Sequence, residues 1–337
     1  MTRASIAGKT NEGVPMLPFA ELHLHLEGTL EPELVFALAE RNRIALPYRD
    51  VADLRGRYSY GCLQDFLDLY YANSTVLRTE ADFAELTDAY LARAAVSGVV
   101  RAEVFLDLQA HTARGVPAPV VLAGVTDALA RSEADHGVST GLILTFLRHL
   151  PAEDAAVAYD QALATGVELL GVGLCSSEVG FPAAPFADLF ARARADGLHT
   201  VAHAGEEGGP DYVWDVLHQL KVERVDHGIT AVHDPALVRH LAEREIPLTV
   251  CPLSNVHLRA VPSLAAHPLP ALLAAGVKAC INSDDPAYFG GYLQENLTAV
   301  TNTFDLSAEQ LATLSTNSIE ASFLPAAEKS RLLGAAR

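Results

Sequence analysis

Two histidines one residue apart, His23-Leu24-His25, close a short apolar run that reads as a β-strand. Alternate strand side chains share a face, so both imidazoles project the same way and can meet one metal ion. The pair is weak evidence alone, because an ordinary strand pair in a core or on a surface reads identically. Three further clusters change its weight: His203-Ala204-Gly205-Glu206, Asp226-His227-Gly228 and Ser283-Asp284-Asp285-Pro286 each end another β-rich run. Imidazoles and carboxylates without thiolates are a donor set for zinc, with iron, manganese or cobalt as other occupants. We expect His23, His25, His203 and Asp284 to be the ligands, around a water made acidic enough for hydrolysis near neutral pH. Glu206, one turn beyond His203 and outside that set, suits proton delivery to a substrate. His227 suits holding the water, taking its proton or stabilising an oxyanion.

Two absences narrow the chemistry. The chain has only Lys9, Lys221, Lys278 and Lys329, and none ends the fourth strand candidate, where two-metal barrel hydrolases carry a bridging lysine. One metal ion per chain is therefore expected. The P-C-x-x-C half of the cytidine-type deaminase signature is also missing, which excludes that other zinc solution.

Residues gathered from distant segments need a scaffold that presents strand ends together. Eight strand candidates fall at 19–25, 100–106, 142–146, 169–174, 199–204, 224–227, 247–251 and 277–283, each followed by sequence able to form a helix. Several are continuous hydrophobic runs, as parallel strands covered on both faces must be. The expected fold is α/β, a distorted (β/α)8 TIM-type barrel whose C-terminal strand ends carry the site. Between the first two strands lie about seventy residues, too many for one crossover helix, with helical signatures at 33–42, 63–75 and 82–97. We read a helical insertion at about 30–97 in which Tyr58, Phe66, Tyr70 and Tyr71 line a lid or fill its core. Terminal helices are expected at about 305–337, entered at Leu306-Ser307. No linker or repeat divides residues 1–337, so one domain is expected.

A formal charge of -18, from 42 acidic and 24 basic residues, would repel nucleic acid and anionic lipid. Cys62, Cys175, Cys251 and Cys280 are widely spaced, which fits neither a disulfide framework nor a thiolate zinc site and suits a reducing cytoplasm. The polar N-terminus shows no signal-peptide pattern, and no run reaches the 18 or so apolar residues that cross a bilayer.

The chain resembles the adenosine and adenine deaminase branch of the amidohydrolase superfamily over nearly its whole length. The matching segments are ELHLHLEGTLEPE from Glu21, SSEVG from Ser176, HAGEEG from His203, DHGI from Asp226, CPLSNV from Cys251 and SDDPAYFGGY from Ser283. The resemblance implies hydrolytic deamination of a small-molecule 6-aminopurine, and adenine-to-hypoxanthine chemistry in purine salvage above the rest. It implies one zinc on the four ligands named, Glu206 as donor to the purine N1, His227 assisting the water, and Asp285 binding the substrate at N7. Glu178 stands where nucleoside-using relatives carry a glycine, which implies a carboxylate that accepts N9–H of a free base. Cys175 replaces the aspartate usual in GLDSSEVG, either as a tolerated small residue or as a change in the base pocket. Glu27 is left between substrate contact and helix capping. Adenosine or a larger nucleoside is the other substrate reading, and a catalytically silent zinc-binding barrel the remote one. The oligomeric state stays open, a homo-oligomer included.

Overall fold

Strands β1 (Phe19–His25), β2 (Val99–Leu106), β3 (Ser139–Leu147), β4 (Gly171–Cys175), β5 (His199–Ala204), β6 (Arg224–His227), β7 (Leu248–Val250) and β8 (Ala279–Ile281) follow one another in chain order around a single sheet. They are seen in a computed structural model that describes residues 17–335. Every neighbouring pair is parallel, and the crossovers carry helices, so the expected (β/α)8 barrel is the observed one. The strand sequences explain the layers. Val104, Leu106, Leu142 and Leu144 join the large cluster shared with the outer helices, whereas Phe105 and Ile143, on the alternate face, meet Val201 in a separate cluster.

The last two strands are shorter than their apolar runs. After Ile281, the Asn282 amide donates to the Val250 carbonyl at 2.9 Å, and the Asn282 Oδ1 accepts from the Leu22 amide at 2.7 Å. A side chain thus takes over the bond that a longer β8 would have made to β1. The seam between β8 and β1 is completed at the top by an isolated bridge, Leu24 with Asp284. There the His25 amide donates to the Asp284 carbonyl at 3.0 Å, and the Asp284 amide to the His23 carbonyl at 3.1 Å. Barrel closure and the candidate ligands are one structure.

The insertion after β1 contains Pro32–Asn42, Val51–Arg55, Leu63–Ser74 and Glu80–Val96. The last starts at a capping box, with the Asp82 amide donating to Thr79 Oγ1 and the Thr79 amide to Asp82 Oδ2, and packs on the next crossover helix, Ala118–His136. It is the outer-ring helix of the first crossover. Helix Leu63–Ser74 instead covers the barrel mouth, where Leu63, Phe66, Leu67 and Tyr70 bury themselves with Leu258, Tyr288 and Phe289 from the loops after β7 and β8.

Terminal helices span Leu293–Phe304, Ala308–Ala321 and Ala326–Ala335, the second capped by Ser307. Helix Ala308–Ala321 seals the lower end, where Ser318 Oγ accepts from the Ala20 amide at 3.0 Å. Residues 1–16, read as a polar N-terminus, and 336–337, the end of the expected last helix, lie outside the described residues. Among the described residues no helix is long and apolar enough to cross a membrane.

Candidate active site

His23, His25, His203 and Asp284 are brought together from β1, β5 and the turn after β8, with one ligand atom from each inside a common 4.8 Å radius of separation. His25 Nε2 and His203 Nε2 face each other at 3.1 Å, and Asp284 Oδ1 lies 3.2 Å from His23 Nε2 and 3.7 Å from His25 Nε2. Zinc ligands on a tetrahedron with bonds of about 2.1 Å stand roughly 3.4 Å apart, so this donor set fits that ion. His23 Nε2 is buried without a hydrogen-bond partner, as a nitrogen reserved for a metal would be. The outer nitrogens are turned to oxygens that fix the rings. His23 Nδ1 lies 3.0 Å from Thr249 Oγ1, which itself donates to Asp226 Oδ1 at 2.8 Å, and His203 Nδ1 lies 3.4 Å from Asp226 Oδ2. His25 Nδ1 lies 3.8 Å from Asp107 Oδ1.

Local backbone serves the same end. Asp284 and His227 take positive φ of 64° and 62°, which few non-glycine residues adopt, and both turn from a strand end into the mouth. A β-carbon at Gly28 would overlap the Asp285 carboxyl and stand 2.7 Å from its Cα, so only glycine admits Asp285 here.

Glu206 is buried with its Oε2 3.5 Å from His227 Nε2. Burial, then Asp284 and Glu178, push its carboxyl well above the usual range, so it carries a proton. Burial, then Asp284, do the same to Asp285. Asp284 is the opposite case: despite burial, His23, His227 and His25 hold it ionised. Burial and His23 keep His227 neutral, and push His203 down to about 4. Burial would also discharge His25, but Asp285, Asp107 and Asp284 outweigh it and push its imidazolium up to about 10.

The proton on His227 can be placed. The Leu269 amide donates to His267 Nδ1 at 3.1 Å, leaving Nε2–H of that ring to donate to Asn255 Oδ1 at 3.1 Å. The Asn255 Nδ2 group then donates to His227 Nδ1 at 3.3 Å. His227 therefore carries its hydrogen on Nε2, aimed at Glu206 and Asp284. Asn255, in the turn that follows β7, thus fixes this tautomer.

Glu178 is buried and is not among the residues that line the cavity. Its Oε1 accepts from the Gly205 amide at 2.5 Å, and its Oε2 from the amides of Glu206 at 3.1 Å, Glu207 at 2.9 Å and Gly208 at 2.8 Å. These four bonds tie it to the loop that carries Glu206. The reason is local: with Gly205 at φ 69°, the loop after β5 turns successive N–H groups to one point. Arg148 holds the same turn from the other side, donating to the His203 carbonyl at 2.8 Å.

Asp285 lines the cavity with His25, His203, Glu206, His227 and Asp284; Phe66, Tyr70 and Tyr71 of the covering helix roof it, and Cys175 and Ser176 form one wall. The cavity under this roof is small, about 30 Å³. Tyr58 stacks on Tyr288 outside the cavity, and Trp214 donates to Asp234 at 2.9 Å, also outside it. Cys175 donates to Asp107 Oδ1, and burial pushes its thiol well above the usual range, which rules out a thiolate nucleophile. Glu27 faces neither substrate nor solvent: its Oε1 lies 2.6 Å from His111 Nε2 and accepts from the Asp107 amide at 3.1 Å. Asp107 itself lines the cavity and was missed in the sequence, although it ends β2 as the other site residues end theirs.

A parallel eight-stranded barrel with an imidazole and carboxylate cluster at its C-terminal strand ends defines a hydrolase of the amidohydrolase kind. The adenosine deaminase family matches residues 18–336, and the chain belongs to that family. It is 55% identical to a protein named adenine deaminase from Rhodospirillum rubrum, over 94% of this chain and 95% of that one. The crystal structure of adenine deaminase from Arthrobacter aurescens superposes with a TM-score of 0.94 at 53% identity, over 95% of this chain and 98% of that one. An amidohydrolase from Burkholderia ambifaria, solved with bound zinc, superposes with a TM-score of 0.88 at 28% identity, over 95% of this chain and 90% of that one.

Proposed function

We propose that this protein hydrolyses adenine to hypoxanthine and ammonia, with one zinc ion per chain held by His23, His25, His203 and Asp284. The observation that carries the reading is a buried, protonated Glu206 placed beside the ligand cluster and outside it, next to a neutral His227. A structural metal site needs neither group. The relatives named for adenine support the substrate. Bound there, the metal would act as a Lewis acid that makes a water more acidic.

The chain's own residues supply the rest. Glu206 delivers its proton to N1, which draws electrons from C6 and opens that carbon to the water oxygen. His227, with hydrogen on Nε2, holds that oxygen and stabilises the charge growing on it. Asp285, protonated, donates to N7 and sets the ring in place. The water's oxygen ends on C6; one of its hydrogens restores the proton that Glu206 gave to N1 and the other goes to the departing nitrogen, so ammonia leaves. Glu178 acts behind Glu206, holding the loop amides that aim it. A cytoplasmic protein of one barrel domain over 1–337 fits the widely separated free cysteines.

The test is a spectrophotometric assay of the zinc-loaded protein on adenine and adenosine. Conversion of adenine with little turnover of adenosine is expected. Turnover of adenosine but not adenine would replace the free base by the nucleoside, and inactivity on both would remove the reading.

A further inference from the structure

We propose that Asp107, at the end of β2, is the residue that recognises a free base, its carboxylate accepting N9–H of the 6-aminopurine, a donor that nucleosides lack. The inference rests on the adenine reading above. The predominant tautomer of adenine carries its imidazole proton on N9, which leaves N7 as the acceptor that faces Asp285. A proton donor carried into a closed cavity needs an acceptor there, because leaving it unpaired opposes binding.

The strand order indicates where that acceptor lies. A purine held at N1 by Glu206 beyond β5 and at N7 by Asp285 beyond β8 turns C6 toward His227, at the end of β6 between them. Its other edge, read from N7 through C8, N9, N3 and C2 to N1, passes the ends of β1, β2, β3 and β4 in that order. N9 falls early in this series, opposite the end of β2, where Asp107 stands on the cavity wall.

Asp107 is 3% exposed and incompletely used. Its Oδ1 accepts from Thr145 Oγ1 at 2.6 Å and Cys175 Sγ at 3.4 Å, and its Oδ2 from Tyr70 OH at 3.0 Å. A carboxylate offers about four acceptor positions, so one remains, on the Oδ2 that shares only Tyr70. The other cavity carboxyls are committed to N1, N7 and the metal, and Glu178, bonded to four backbone amides, does not line the cavity. Tyr70 belongs to the covering helix, so closure of that helix and recognition of N9–H meet on one carboxylate.

The experiment compares kcat/KM on adenine and on 9-methyladenine, in which a methyl group replaces the N9 proton, for zinc-loaded wild type and Asp107→Asn, with Asp107→Ser as a second variant. Wild type should prefer adenine. Either substitution should cut the adenine value roughly 10- to 100-fold while changing the 9-methyladenine value less than about threefold, so that the preference collapses at unchanged zinc content. A role limited to orienting His25 would lower both substrates by one factor, and that result overturns the proposal. So does a wild type that uses both substrates equally. A zinc-loaded wild type inactive on adenine would instead defeat the underlying reading.

Discussion

At the lower end of the barrel Arg224 and Glu103, both fully buried, meet at 2.7 Å and are tied to the surrounding backbone, with only Arg224 Nε lacking a hydrogen-bond partner. Arg224 donates to the carbonyls of Leu22 and Ala321, and Glu103 accepts from the Phe323 amide at 2.7 Å. At the upper end the buried charges are left open: His23 Nε2 has no partner, two imidazole nitrogens face each other at 3.1 Å, and two carboxyls are held protonated. Burial is equal at the two ends, so burial does not distinguish structural from chemical charge. Convergence does. A charge pair tied to backbone groups fixes a fold, whereas imidazoles and carboxyls that converge on one point await a ligand.

Substitutions at the two ends should therefore separate activity from stability. Glu206→Gln keeps the shape of the upper site without its proton and should lower kcat by about 10²- to 10⁴-fold, with zinc content and melting temperature unchanged; an active variant would remove Glu206 from proton delivery. Arg224→Met at the lower end strips Glu103 Oε2 of its partner and leaves Arg101 on Oε1 alone, and should cost about 1–3 kcal/mol in denaturant unfolding. The folded fraction should deaminate normally, and a loss of kcat larger than the loss of folded protein would erase the contrast.

Glu178 lies between these cases, tied to backbone groups like the lower pair but bonded to the loop that carries Glu206. Glu178→Gln turns an amide N–H₂ toward at least one backbone N–H and should lower kcat roughly 10- to 100-fold, with KM and zinc content little changed. An effect on KM alone would return Glu178 to substrate contact. Asn255→Ala frees His227 to adopt the other tautomer, and should lower kcat about tenfold; no change would mean that the tautomer does not matter. The smallest effect concerns the apo site. With His25 pushed up to about 10, zinc uptake near neutral pH must displace its proton, so affinity weakens as pH falls. Calorimetry in buffers of different ionisation enthalpy should show a released proton, and uptake without release would contradict that assignment.

The barrel was legible because parallel strands covered on both faces leave continuous apolar runs, and the ligands because each ends such a run. The limits of β7 and β8 were not, since the Asn282 side chain replaces ladder bonds there and no periodicity announces it. The amide partners of Glu178 were not legible either, because they belong to the loop after β5 and carry no sequence signal. Asp107 had the signal, a carboxylate ending a strand. The His267 to Asn255 to His227 chain had none, as it joins residues through ring tautomers across three segments.

The central claim, one metal ion on four strand-end ligands serving deamination, is tested most directly by titrating metal-stripped protein with zinc while following adenine turnover. Activity should rise in proportion to zinc and reach its plateau at one equivalent per chain. A plateau at two equivalents, or full activity in the stripped protein, would contradict the account.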